Sequence, residues 1–103
     1  MTDPLARPRQ MVAQYPQNEL ARFSLGKALF DGGNFAEAKE HLTGALAKKP
    51  DWMLVQILLG KCELQLGHRT AALAAFTRAR ELALAQHHEG PLAEIEQFLS
   101  ELC

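Results

Sequence analysis

The chain has 103 residues, which is the size of one small domain, and its 48% of hydrophobic residues can build a modest core. The net charge of −1, with both signs mixed, argues against nucleic acid or an anionic membrane as the partner of the whole chain. The charge is uneven, because residues 1–88 carry all 11 Lys and Arg against eight acids, whereas residues 89–103 carry four glutamates and no base.

The cysteine content and the lack of long apolar runs do not indicate a secreted or membrane protein. Two cysteines, Cys62 and Cys103, do not make a disulfide framework, and we expect both to be reduced thiols. The first residues contain no apolar run of the signal-peptide type, and no segment approaches the ~20 apolar residues of a membrane span. These features predict a cytoplasmic protein.

Residues that favour helices dominate the chain and β-branched residues are scarce, so we predict an all-α fold of about six helices. The first helical stretch, 4–14, is weakened by Pro8, which removes a hydrogen-bond donor, and the helix can begin as late as Pro8. The second helix follows Asn18, a good N-cap, and ends before the pair Gly32-Gly33, which can supply a left-handed turn.

Four more helices follow along the chain. They are expected at about 35–48, 52–66 and 69–86 and from Pro91 onward, with Asn34 and Asp51 as N-caps and breaks at Pro50, Gly67 and Gly90. The last helix has five apolar residues at helical spacing, Leu92, Ile95, Phe98, Leu99 and Leu102.

The chain repeats itself at a period of 34 residues. Leu25-Gly26-Lys27 returns as Leu59-Gly60-Lys61. The echo continues in the pairs Leu20 and Leu54, Gly33 and Gly67, Ala38 and Ala72, Thr43 and Thr77, and Ala45 and Ala79. A fixed period of this size indicates stacked helix pairs that bury their apolar faces against one another.

Small residues in each unit suit the crossing of two helices, and large ones fill the space around it. The small residues are Gly26, Ala28, Ala38 and Ala45 in the first unit and Gly60, Cys62, Ala72 and Ala79 in the second. The large residues are Leu25, Leu29, Phe35, Leu42 and Leu46 in the first and Leu59, Phe76 and Leu82 in the second. Cys62 is therefore interpreted as a packing residue.

These residues resemble the tetratricopeptide repeat, whose pattern runs Trp-x2-Leu-Gly-x2-Tyr, Ala-x3-Phe, Ala and Pro. The first unit, 19–52, matches at Leu25, Gly26, Ala38, Leu42, Ala45 and Pro50, with Arg22 and Leu29 at the Trp and Tyr positions. The second, 53–86, matches at Leu59, Gly60, Ala72, Phe76 and Ala79, with Gln56, Glu63 and Leu84 at the Trp, Tyr and Pro positions. Without that Pro, the fifth helix is expected to run towards His87.

The resemblance implies a right-handed helical solenoid in a single domain, 1–103. Pro16 stands one period before Pro50, so residues 1–18 read as the second half of an earlier repeat. We expect this half-unit and the helix within 90–103 to cap the two ends of the stack, since two repeats alone bury too little.

The resemblance also implies a concave groove, lined by the first helix of each pair, that binds a segment of a partner protein. The groove positions are Leu20, Phe23, Lys27, Phe30, Asp31, Leu54, Ile57, Lys61, Leu64 and Gln65. Helical spacing independently places Phe23, Lys27 and Phe30 on one face, and the second helix repeats this arrangement. An apolar floor with lysines suits a segment with acidic groups. Alternatively, neighbouring helices simply cover these side chains.

The acidic last helix is one neighbour that could cover the groove side chains. It is expected to lie where a third first-helix would stand, with its glutamates near Lys61. It is then a fixed cap, which its five apolar residues favour, or a mobile lid. A lid predicts that the chain cut after Gly90 stays folded and binds its partner more strongly.

Nothing in the sequence indicates catalysis, a metal or a cofactor. The four histidines are scattered, and no His-x3-His or Cys-x2-Cys spacing occurs. The Lys/Asn/Arg clamp by which some family members hold chaperone C-termini is absent as a set, because Phe23, Lys27 and Leu58 occupy three of its positions. We therefore predict a non-catalytic scaffold that binds another protein. The alternative is a self-associating protein whose groove or apolar end forms a homodimer.

Overall fold

A computed structural model describes residues 3–102, which form six α-helices joined by short turns. The helices are α1 (Ala6–Gln14), α2 (Glu19–Asp31), α3 (Phe35–Lys48), α4 (Met53–Gln65), α5 (Arg69–Ala85) and α6 (Glu89–Leu102). Helices α1–α3 form one compact unit and α4–α6 form a second. The prediction of an all-α fold with six helices is confirmed.

The helix ends agree with the sequence at several places and differ at the starts of α1, α4 and α6, the last of which lies at Glu89 and not at Pro91. The Asn18 side chain accepts a hydrogen bond from the Ala21 N–H at 2.9 Å, which confirms it as the N-cap of α2. Helix α1 begins at Ala6, earlier than expected, because Pro8 falls in the first turn, where a missing N–H costs nothing. The prediction that Asp51 caps α4 is wrong, since Trp52 occupies the N-cap position.

The turns after α2, α4 and α5 each contain one residue with a left-handed backbone. Gly33 (φ 83°) and Gly67 (φ 78°) fill this role after the first two helices, as glycine does without steric cost. Gly32 keeps a negative φ, so only one member of the predicted pair is needed. After α5 the residue is His87 (φ 57°), which ends the helix just beyond Ala85.

Each helix pair crosses at a glycine of its first helix. A Cβ at Gly26 would lie 2.9 Å from Cγ of Leu42, and a Cβ at Gly60 would lie 2.7 Å from Cζ of Phe76. The absence of a side chain lets a large residue of the second helix sit directly on the first helix. Small residues at the crossing are confirmed, with Ala38 and its equivalent in α5 fully buried.

Helix α6 contributes directly to the core of the second unit. Ile95 is fully buried and Leu102 nearly so, in a cluster with Phe76 of α5. The Phe98 ring stacks on that of Phe76, with centroids 4.6 Å apart. Burying an aliphatic side chain of this size stabilises a fold by about 2–3 kcal/mol, so α6 is an integral part of this unit.

Cys62 is fully buried in α4, as expected for a small packing residue. Burial, with the neighbouring Glu63 carboxylate as the second cause, raises the pKa of the Cys62 thiol to about 11. The thiol is therefore protonated at neutral pH and unreactive. Cys103 lies outside the described residues.

Candidate partner-binding faces

The predicted partner-binding residues of the first unit lie along α2 and are largely accessible. Leu20 is 62% exposed, and Phe23 and Phe30 are half-buried. Lys27 Nζ lies 3.1 Å from Asp31 Oδ2, and both side chains are more than half exposed. This face therefore presents apolar surface next to an exposed ion pair within one helix.

Phe30 is positioned by an aromatic neighbour on the next helix. Its ring meets that of Phe35 edge to face, with centroids 5.3 Å apart and planes inclined at 69°. Such pairs restrain both rings beyond what burial of area provides. Phe35 consequently serves to orient Phe30 and is only half-buried, where the sequence predicted a gap-filling core residue.

The corresponding residues of α4 are mostly covered within their own unit. Ile57 is only 5% exposed, and Leu64 packs against the cluster that contains Ile95 of α6. Leu54, at 53% exposed, and Gln65 remain open to solvent at the two ends of the helix. The two faces that the repeat made equivalent thus differ in accessibility.

Lys61 pairs with α6. Its Nζ lies 3.1 Å from Oε1 of Glu94 and 5.9 Å from the centroid of the Phe98 ring. The sequence expectation that a glutamate of the last helix lies near Lys61 is confirmed. The ion pair is partly exposed, so it contributes at most ~1 kcal/mol, and it fixes position more than it stabilises.

Two further cations hold α6 along its length. Arg80 Nε lies 3.4 Å from Glu96 Oε1, and the Arg69 guanidinium donates a hydrogen bond to the carbonyl oxygen of Leu102. The second contact satisfies a carbonyl at the end of the helix, where no intrahelical partner exists. Basic residues of α4 and α5 therefore meet the acidic helix at two glutamates near its middle and at its C-terminal end.

A second accessible feature of the first unit is an open groove between α1 and α2, with a volume of about 340 Å³. We call it the α1–α2 groove, and it is lined by Met11, Tyr15, Asn18, Leu20, Ala21 and Ser24. Met11 is 40% exposed and Tyr15 is 55% exposed. Sequence reasoning did not single out these two residues, although their spacing of four already placed them on one side of α1.

A polar network joins the three helices of the first unit. Arg9 makes a two-point contact with the Glu37 carboxylate, which lowers the pKa of Glu37. Arg22 donates through Nε to the Pro16 carbonyl at 2.8 Å and lies 3.5 Å from Nδ1 of His41. Burial, and then the charge of Arg22, lower the pKa of His41, which favours the neutral form of the imidazole.

Residues 3–102 contain no metal-binding cluster and no membrane-spanning helix. Within that range no three or more His, Cys, Asp or Glu side chains are grouped so as to hold a metal ion. No helix in the described part of the chain has the length and apolarity to cross a membrane. His68 instead contacts the buried Glu63 carboxylate, with Nδ1 3.0 Å from Oε1.

Comparison with known proteins agrees with these features. The tetratricopeptide repeat family model matches residues 9–51 and 23–86. The TPR repeat-containing protein PA0015 of Pseudomonas aeruginosa is 35% identical over 95 residues, which cover 90% of this chain and 89% of that protein.

Two solved structures have the same fold. The solution structure of protein BPP2914 from Bordetella parapertussis matches with a TM-score of 0.84 at 30% identity, covering 99% of this chain and 89% of that one. The TPR2B-domain:pHsp70 complex of yeast Sti1 matches with a TM-score of 0.85 at 18% identity, covering 95% and 78%.

Paired helices of fixed period that cross at a glycine define a helical-repeat protein. The chain belongs to the tetratricopeptide repeat family. The fold of this family is typical of protein–protein interaction modules, which are generally non-catalytic scaffolds.

Proposed function

We propose that the protein binds a segment of another protein and that the contact centres on the face of α2. The observation that carries the proposal is the accessibility of this face, where the exposed Leu20 and the half-buried Phe23 and Phe30 flank Lys27. Lys27 pairs with Asp31 of its own helix and not with another helix, so it can exchange this partner without disturbing helix packing. The family's typical role in protein–protein interaction and the pHsp70 complex of the yeast Sti1 TPR2B domain support binding to another protein.

The same reasoning gives α4 a smaller part. Leu54 and Gln65 are exposed and available to a partner, whereas Ile57, Lys61 and Leu64 already contact α6 or the core beneath it. A partner would have to displace α6 to reach them, at the cost of exposing Ile95. We therefore assign the partner contact to α2 first.

The chemistry of the face indicates the chemistry of the segment. Apolar side chains of the segment would bury against Leu20, Phe23 and Phe30, which supplies affinity. An acidic group of the segment would pair with Lys27, which orients the segment and raises the association rate. We expect an apolar segment that carries at least one Asp or Glu.

Selection of peptide-displaying phage on the immobilised chain tests this proposal. The selected peptides are then assayed against Lys27→Glu and against Arg78→Glu, which makes the same change of charge at an exposed site on α5. We expect the selected peptides to contain acidic residues and to lose about tenfold or more in affinity for Lys27→Glu only. Peptides that bind both variants equally well, or that lack acidic residues, would contradict the assignment to α2.

A further inference from the structure

Helix α1 leaves exposed a repeat position that is buried in both complete repeats. Met11 lies one period before Ala45 and two periods before Ala79, and both of those alanines are fully buried. No residue of α1 is buried, although the helix packs on α2. The half-repeat therefore has a larger apolar residue than the complete repeats and leaves it 40% exposed.

Three side chains form a stripe along this helix. Arg7 and Met11 are spaced by four residues on one face of α1, and Tyr15, the C-cap residue directly after α1, lines the same groove as Met11. Arg7 makes no ion pair with any residue in the described range, whereas the charge of Arg9 is neutralised by Glu37. The stripe thus presents an unpaired cation, an apolar centre and an aromatic ring, in that order.

We propose that this stripe binds the same stripe of a second copy of the chain, with the two α1 helices antiparallel and a two-fold axis at Met11. In this arrangement Met11 packs on Met11, and Arg7 of each copy lies over the Tyr15 ring of the other. The arginine then gains a cation–π contact twice, once on each side of the axis. A parallel arrangement would place Arg7 against Arg7 and is disfavoured by charge.

The self-complementarity of the stripe is the reason for choosing a second copy as its occupant. A two-fold interface requires each surface to match itself, and a cation and an aromatic ring that stand four residues to either side of an apolar residue suit that requirement. Met11 and Tyr15 also line the adjoining α1–α2 groove, so the second copy covers the α1 side of that groove. Because α1 has nine residues and spans only about 13 Å, the interface is small and we expect a weak dimer.

Sedimentation equilibrium of the full chain over about 5 μM to 1 mM measures this association directly. Tyr15→Arg brings two guanidinium groups together, so we expect the dissociation constant to rise at least about tenfold. The double variant Arg7→Tyr/Tyr15→Arg restores a cation opposite a ring and should return the constant to within a few-fold of wild type. Leu84→Lys is the matched control, because it also replaces an exposed apolar residue with a cation, but on α5. It should leave association unchanged.

Each outcome decides the proposal. A wild-type chain that stays at 11.4 kDa throughout overturns the dimer. Association that Tyr15→Arg leaves intact overturns the stripe as its site, and a double variant that fails to recover overturns the antiparallel arrangement. Circular dichroism checks that each variant remains helical, which we expect because both side chains are exposed. The dimer does not rest on partner binding at α2, because a strictly monomeric chain that still binds the selected peptides refutes only the dimer.

Discussion

The first helix, α1, and the last helix, α6, each pack against one unit of the fold, but they bury very different amounts of apolar side chain. Helix α6 buries Ile95 completely, stacks Phe98 on Phe76 and pairs with basic residues of α4 and α5. Helix α1 buries no residue and is held to α3 by one exposed ion pair. In this chain the terminal helix with a full apolar stripe is part of a core, whereas the terminal helix without one buries no residue.

The largest expected difference between the two ends is energetic. Ile95→Ala should lower the free energy of unfolding by about 2–4 kcal/mol, because it leaves a cavity in a fully packed cluster. Met11→Ala should change it by less than about 0.5 kcal/mol, because that side chain is 40% exposed. Urea unfolding of both variants, at concentrations well below dimerisation, measures the two values. Similar losses of unfolding free energy in the two variants would refute the difference between α1 and α6.

Removal of α6 sharpens the same contrast. A chain that ends at Gly90 exposes Phe76 and Ile57, so we expect the second unit to lose its cooperative unfolding transition. Far-ultraviolet circular dichroism during heating shows whether the transition remains. A truncated chain that still unfolds cooperatively and binds selected peptides more tightly would identify α6 as a mobile lid.

The two glycine crossings should differ by a smaller amount. At Gly60 a new methyl group meets three atoms of the Phe76 ring within 2.7–2.9 Å, and the ring is confined by the stacked Phe98. At Gly26 it meets two atoms of Leu42, Cγ and Cδ2, at 2.9 Å, and Leu42 is not an aromatic ring held by a stacked neighbour. Gly60→Ala should therefore cost about 1–3 kcal/mol and Gly26→Ala less, in part because alanine favours a helix. Thermal unfolding of the two variants tests which is less stable. If Gly26→Ala is the less stable variant, the inference that the Gly60 crossing is the tighter one is wrong.

The smallest expected effect concerns pH and is confined to the first unit. The pKa of His41 is lowered from its ordinary value of 6.5 in the folded state, so the unfolded chain takes up that proton first as the pH falls. The stability that this residue contributes is fully present above about pH 6.5 and is lost as the pH falls through the folded pKa. Urea unfolding of wild type and His41→Gln between pH 7.5 and 5.5 should show a larger loss for wild type. If the unfolding free energies of wild type and His41→Gln fall equally with pH, this role of His41 is contradicted.

The sequence predicted the helices well because their signals are local. Asn18 caps α2 by accepting a hydrogen bond three residues away, and Gly33 adopts a backbone that other residues avoid. The errors were also local in origin. Pro8 is a helix breaker in an interior but is tolerated in a first turn, and Asp51 lost the capping position to its neighbour Trp52.

The candidate site was harder to predict, because periodicity treats equivalent positions alike. Lys27 and Lys61 stand at the same position of the repeat, yet the first pairs within its own helix and the second with α6. Phe30 and Leu64 likewise share a position but have different neighbours. Which helix covers a repeated face depends on contacts between residues far apart in the chain, and a repeat of 34 residues contains no information on them.

The sequence by itself determined the fold class, the family and the crossing residues, because the caps and the Leu-Gly pairs act over one or two helical turns and the period of 34 residues shows that they recur. Only the tertiary structure decided that α6 covers the α4 face and that Met11 and Tyr15 stay exposed on α1. The physical reason is that burial is a property of surfaces brought together from distant parts of the chain, whereas helix formation depends on near neighbours.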